Sequence, residues 1–284
     1  MKVELIKPIG HCFGVIKAIE LAKQVRKDYP EKKIFVFGFL VHNEDVTNEL
    51  KEEGIETIDI TNINPLERLE EFSENDIVIF TAHGHPKSYE DVLNKRGVKY
   101  FDASCPKVLK SFEMIQRAKE TIYIGKDKHP ETVAALTKSD NVHLYDIKGG
   151  FDYSKVTSDN PIVLNQTTLS FLELKEIHED IKRHLPNSHI EDEICDATLL
   201  RQKAIINLKD GIDLIVIVGS KMSSNTNKLF EVAKKAHPSK KVIFVENIRD
   251  LGAFSSNYRH AAIVGGTSTP LSTINKIKEY LERL

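Results

Sequence analysis

Three cysteines, Cys12, Cys105 and Cys195, are the only thiols in the chain, and their surroundings match. Each follows a short extended run ("VELIKPIG", "VKYFDAS", "HIEDEI"). Each precedes apolar residues at three- and four-residue intervals ("FGVIKAIELAKQVRK", "PKVLKSFEMIQRAKE", "DATLLRQKAIINLKD"), the pattern of an amphipathic helix. Cys12 and Cys105 are 93 residues apart, and Cys105 and Cys195 are 90 apart. Even spacing in like settings points to an internal repeat. A thiol at a helix start meets unpaired N–H groups and a dipole that favour the thiolate. Scattered cysteines are also, as a class, ordinary small buried side chains.

The other candidates for chemistry sit in polar turns. "VHN" supplies His42, and "HGH" supplies His83 and His85, with Gly84 allowing close backbone approach. "KHPE" supplies His129 and Glu131; Pro130 suits the first helical position, and Glu131 is a carboxyl placed to deliver protons. In "NQTTLS" the run Ser170-Phe171-Leu172-Glu173 fits a capping box, which leaves Thr167 and Thr168 for other partners. Ser223, Ser224 and Asn225 are three consecutive hydrogen-bonding side chains where one cap needs one, so the surplus favours an anion cradle. "GGTSTP" places Ser268 ahead of Pro270 at another helix start. Neither of the last two is a Walker loop, because the GxxxxGK[ST] order is absent.

These turns end buried-type apolar runs: "KIFVFGFLVHN", "DIVIFTAHGH", "TIYIGKDKHPE", "PIVLNQTTLS", "DLIVIVGSKMSSN" and "AAIVGGTSTP". Near-continuous apolar runs alternating with amphipathic helices indicate parallel sheets covered on both faces. Ligands of such sheets bind beyond the carboxyl ends of the strands, where every one of these clusters lies. The fold class is therefore α/β, with three similar units at 13–104, 105–194 and 195–284, residues 1–12 packing with the third. The expected arrangement is a pseudo-threefold trefoil around a common centre.

Composition sets the background. The 284 residues carry a net charge of −2, which argues against a nucleic-acid-binding face. No apolar stretch reaches membrane-spanning length, and the N-terminus lacks a signal-peptide core, so a cytoplasmic protein is expected. Three thiols there do not suggest a disulfide framework. Brought to one centre, they would hold metal. Zinc with three cysteines takes a fourth ligand or water. Thiolates also select iron–sulfur clusters, and a cubane held by three cysteines keeps one iron free for substrate. The residues leave open an iron–sulfur enzyme, a three-thiolate zinc hydrolase of a phosphorylated substrate, and a non-catalytic iron–sulfur redox sensor. The surplus of anion donors speaks against the sensor.

In order, "GHCFGV", "VHN", "AHG", "DASCP", "HPE", "QTTLS", "ICDAT..RQ", "VGSKMSSNTNKL" and "GTSTP" resemble the motif set of the 4-hydroxy-3-methylbut-2-enyl diphosphate reductases over nearly the whole chain. The resemblance implies a trefoil of three α/β domains around a [4Fe–4S] cluster held by Cys12, Cys105 and Cys195. It implies an allylic diphosphate substrate whose hydroxyl meets the open iron and leaves as water after two electrons arrive, giving isopentenyl and dimethylallyl diphosphate. His42, His83, His129, Ser223, Ser224, Asn225 and Ser268 would bind the diphosphate. Glu131 would donate the proton, Thr167 would orient the hydroxyl and relay protons, and Thr198 would line the pocket. Electrons would come from a ferredoxin or flavodoxin, with no docking face and no oligomeric state readable. The chain departs from the family pattern at His11, Phe13, Phe39, Leu199 and Leu200, none of them a ligand or the acid.

Overall fold

The computed structural model describes residues 1–191, 194–252 and 257–284. The chain begins with β1 (Lys2–Leu5), α1 (Phe13–Asp28), β2 (Lys33–Phe37), α2 (Glu44–Glu52), β3 (Ile55–Ile58), α3 (Pro65–Glu70), β4 (Asp76–Phe80), α4 (Lys87–Lys95) and β5 (Lys99–Asp102). It continues through α5 (Pro106–Arg117), β6 (Thr121–Gly125), α6 (Pro130–Leu136), β7 (Val142–Asp146), β8 (Ile162–Asn165), α7 (Phe171–His184) and β9 (His189–Ile190). It ends with α8 (Asp196–Ile206), β10 (Leu214–Val218), α9 (Ser224–Ala236), β11 (Lys241–Val245), β12 (His260–Gly265) and α10 (Leu271–Arg283).

The strands form three four-stranded sheets of the same topology: β3-β2-β4-β5, β7-β6-β8-β9 and β11-β10-β12-β1. Every pairing is parallel. The middle strands read as Val/Ile runs because both their faces are covered. Successive side chains of a strand point to opposite faces, so Ile77 and Ile79 enter one apolar cluster while Val78 and Phe80 enter another. The other two sheets divide in the same way, Ile215 and Ile217 lying opposite Leu214, Val216 and Val218, and Ile122 and Ile124 opposite Tyr123.

The first strand belongs to the last sheet. β1 pairs with β12 from Lys2↔His260 to Leu5↔Ile263. Each sheet thus ends in an edge strand, β5, β9 or β1, and each edge strand leads into a cysteine. The helix beyond it, α5, α8 or α1, carries the chain to the next sheet. Of the extended run before Cys195, β9 takes His189–Ile190, and Asp192 and Glu193 lie outside the described residues. No helix among the described residues is long and apolar enough to cross a membrane.

Candidate active site

Each cysteine is the N-cap of its helix in extended backbone conformation, and none uses its side chain to cap. The thiols are therefore left for another partner. Each is pinned in the same way: Cys12 N–H donates to the Thr267 carbonyl at 3.0 Å, Cys105 to Ala82 at 3.0 Å and Cys195 to Thr167 at 3.1 Å. All three acceptors lie two residues past the end of the strand beside the edge strand, β12, β4 or β8. The three thiols are half-buried and line one cavity of about 90 Å³. Gly14 makes the approach possible, since a Cβ there would stand 2.6 Å from Cys105 Sγ.

The helix start does not win control of the thiol charge. Burial raises the pKa of Cys105 and of Cys195, and the other thiols add to it, against backbone N–H groups that lower it. Desolvation disfavours a thiolate more than these N–H groups favour it. Thiols so placed need a cationic partner to ionise, which suits them to metal. Among the described residues no three His, Cys, Asp or Glu side chains close in tightly enough to hold a single ion.

Around the thiols the three units touch through polar loops. His83 of the first unit meets His129 of the second edge-on, with centroids 5.8 Å apart, and packs on His42 at 4.7 Å. Thr168 of the second unit donates to Ser224 of the third at 2.9 Å. Ser268 of the third donates to the His42 carbonyl at 3.3 Å, closing the triangle. All three imidazoles are held neutral. Burial lowers His42, burial with neighbouring His42 and His129 lowers His83 far below the usual range, and burial chiefly drops His129 to about 3. His42 Nδ1 and His129 Nε2 are buried without a partner. Buried polar atoms are seldom left unpaired, and both of these rings line the cavity of the three thiols. A polyanion would satisfy them and raise their basicity.

Glu131, in the first turn of α6, is 1% exposed. Its Oε1 accepts from Thr167 N–H at 2.8 Å and from the Tyr123 hydroxyl at 3.1 Å, and its Oε2 accepts from Thr167 Oγ1 at 2.9 Å. Burial raises its pKa to about 7, while these donors pull the other way. The shift comes from desolvation in the protein itself and needs no neighbouring diphosphate. A carboxyl poised near neutrality, bonded to a hydroxyl in the same cavity, is equipped to pass a proton.

The remaining expected residues join this constellation. Ser223 caps α9 by accepting from Thr226 N–H at 3.3 Å. Asn225 accepts from Thr267 N–H at 3.0 Å and donates to Thr198 Oγ1 at 3.1 Å. The two histidines of "HGH" part company: His85 turns away, stacks on Phe80 and bonds Glu90 Oε1 at 2.9 Å. Gly84 has φ +83°, and a Cβ there would press on the Phe112 ring at 2.5 Å.

The expected capping box at Ser170 does not form. Ser170 is the N-cap of α7 without a side-chain bond. Glu173 is drawn to Lys228 at 3.0 Å, and Gln202 Oε1 takes the neighbouring Phe171 N–H at 3.1 Å. Of the departures, Phe13 and Leu200 are exposed, Leu199 packs on the core, and Phe39 lies beside His42. Sequence reasoning passed over Tyr123, Gln166, which donates to Ser224 at 3.2 Å, and the buried Arg201. The signal for Arg201 was its place on the inward face of α8, in line with Thr198, Gln202 and Ile205.

Known proteins share this architecture. A family profile described as LytB protein matches residues 3–282. The 4-hydroxy-3-methylbut-2-enyl diphosphate reductase of Malacoplasma penetrans is 34% identical over 294 residues, covering 100% of this chain and 98% of its own. The protein of the same name from Lysinibacillus sphaericus is 32% identical over 291 residues, covering 100% and 88%. The solved E-1-hydroxy-2-methyl-but-2-enyl-4-diphosphate reductase from Plasmodium falciparum superposes with TM-score 0.86 at 27% identity, covering 99% of this chain and 87% of that one.

Proposed function

The chain belongs to the LytB family of 4-hydroxy-3-methylbut-2-enyl diphosphate reductases, and from that membership we propose how its residues divide the reaction. The protein is an oxidoreductase of the non-mevalonate isoprenoid pathway that reduces this allylic diphosphate. The reaction breaks the allylic C–O bond, takes up two electrons and two protons, and releases water with isopentenyl and dimethylallyl diphosphate. It needs the substrate and a source of electrons, which we assign to a ferredoxin or flavodoxin in the cytoplasm.

The observation that carries the reading is the threefold cysteine corner: three uncapped thiols at three like helix starts, facing one cavity that also holds Glu131. Cys12, Cys105 and Cys195 would hold a [4Fe–4S] cluster. When bound, such a cluster supplies electrons one at a time and an iron without a protein ligand. The chain supplies binding and protons. His42, His83 and His129 donate imidazole N–H groups to the diphosphate, and Ser223, Ser224, Asn225 and Ser268 add hydroxyl and amide donors at a helix start and a turn. Thr167 Oγ1, bonded to Glu131 Oε2, holds the substrate hydroxyl in line and hands it a proton. Burial keeps Glu131 protonated up to about neutral pH, so it can replace the proton that Thr167 hands over; once it has taken another proton from solvent it can deliver that second one to carbon.

The test is turnover of 4-hydroxy-3-methylbut-2-enyl diphosphate by anaerobically prepared protein with a strong one-electron reductant. The expected result is formation of both five-carbon diphosphates with loss of the hydroxyl as water. Hydrolysis to phosphate and alcohol, with zinc retained, would mark the hydrolase alternative instead.

A further inference from the structure

The cysteine corners match in backbone and differ in one buried charge. Six residues past each cysteine, on the helix it caps, stand Ala18, Ser111 and Arg201, all buried. Arg201 is 2% exposed. Its guanidinium donates to three main-chain carbonyls: Nε to Gly265 at 3.1 Å, Nη1 to Ala197 at 2.9 Å and Nη2 to Gly10 at 2.6 Å. Gly10 lies two residues before Cys12, and Ala197 two residues after Cys195. Gly265 ends β12, two residues before the Thr267 carbonyl that pins Cys12. One side chain therefore ties the backbone just before Cys12 to the backbone just after Cys195 and to the end of β12.

Among the described residues no carboxylate pairs with Arg201. Burial disfavours its charge, and the groups that favour it are Cys12 and Cys195 in their anionic forms. A desolvated guanidinium held only by neutral carbonyls is costly unless an anion stands near. Ser111, at the same position on α5, spends its hydroxyl on the Lys107 carbonyl at 3.3 Å and brings no charge.

We propose that Arg201 is a positioning residue for the metal centre: it fixes the Cys12 and Cys195 loops relative to each other and supplies a fixed positive charge that raises the cluster's reduction potential. The inference rests on the cluster reading above. Reduction adds negative charge to the cluster, and a buried cation stabilises the reduced form more strongly than one in water. Groups beyond the direct ligands commonly set the properties of a metal centre in this way. The buried charge serves the Cys12 and Cys195 corners, whereas the cation beside Cys105 is the half-exposed Lys107, paired with Asp196 at 3.4 Å.

The test compares Arg201→Gln and Arg201→Lys with the parent after anaerobic reconstitution. Iron and sulfide per chain are measured, then the midpoint potential by a redox titration followed by electron paramagnetic resonance. Arg201→Gln is expected to hold a cluster of lower potential. Arg201→Lys is expected to keep a near-parental potential but lose iron to a chelator several-fold faster, because charge remains and the three-carbonyl grip does not. If Arg201→Gln forms no cluster, a near-parental potential in Arg201→Lys still supports the charge role. A parental potential in Arg201→Gln, an equal fall in both variants, or cluster loss in both would overturn it. A parent that binds no iron would instead overturn the cluster reading on which it rests.

Discussion

Glu131 and Asn225 occupy the same place in neighbouring units. Each stands two residues past an N-cap, His129 or Ser223, on the helix that follows an inner strand. Each accepts the N–H of the residue that pins a cysteine: Thr167 to Glu131 at 2.8 Å, Thr267 to Asn225 at 3.0 Å. Thr167 and Thr267 in turn accept from Cys195 and Cys12. The structural task is shared, and the chemistry is not. An amide cannot hold an acidic proton, whereas the buried carboxyl sits near neutrality. The architectural repeat thus presents a cysteine corner three times over, and single side-chain exchanges on it divide the labour. The first unit offers two imidazoles, the second an imidazole and the acid, and the third hydroxyls and an amide.

The sharpest way to break this comparison is to make the second unit resemble the third. Glu131→Gln keeps an oxygen for the Thr167 N–H but removes the proton. Turnover is expected to fall by about 100-fold or more, the usual weight of a positioned general acid. Iron content and diphosphate affinity should stay near those of the parent. Turnover near the parental rate would remove Glu131 from proton delivery.

A smaller effect sharpens the same comparison. The Tyr123 hydroxyl stabilises the Glu131 carboxylate and lowers its pKa. Tyr123→Phe removes that donor, so the acid should keep its proton to higher pH. If Glu131 must be protonated, activity falls as pH rises through about 7 in the parent. That limb should move upward in the variant by a fraction of a unit to one unit, the weight of about one hydrogen bond to a charged group. The check is the ratio of variant to parental kcat across pH with one reductant, which should rise on the alkaline side.

Most of this organisation was legible in the sequence because chemistry and architecture coincide. The middle strands announce themselves as Val/Ile runs, and the cysteines mark the crossovers between sheets. The outer strands β3, β7 and β11 were silent because their half-exposed, mixed residues lack a continuous apolar run. The grouping of His42, His83 and His129 without His85 came from the motif resemblance; spacing alone does not encode the ring placement that brings the three together. The carboxyl of Glu131 was visible as a candidate, but the cause of its raised pKa was burial, which only the folded chain displays. The failed capping box at Ser170 has the same lesson: Lys228, distant in sequence, holds the Glu173 carboxylate that the box would have used.

The central claim is that three corners hold one cluster, and iron and sulfide analysis of anaerobically prepared protein tests it most directly, with Cys105→Ser alongside. About four irons and four sulfides per chain are expected in the parent, with an iron signal that changes when the diphosphate is added, and loss of the intact cluster in Cys105→Ser. A parental cluster content in Cys105→Ser, or a parent that retains zinc and no sulfide, would contradict the account.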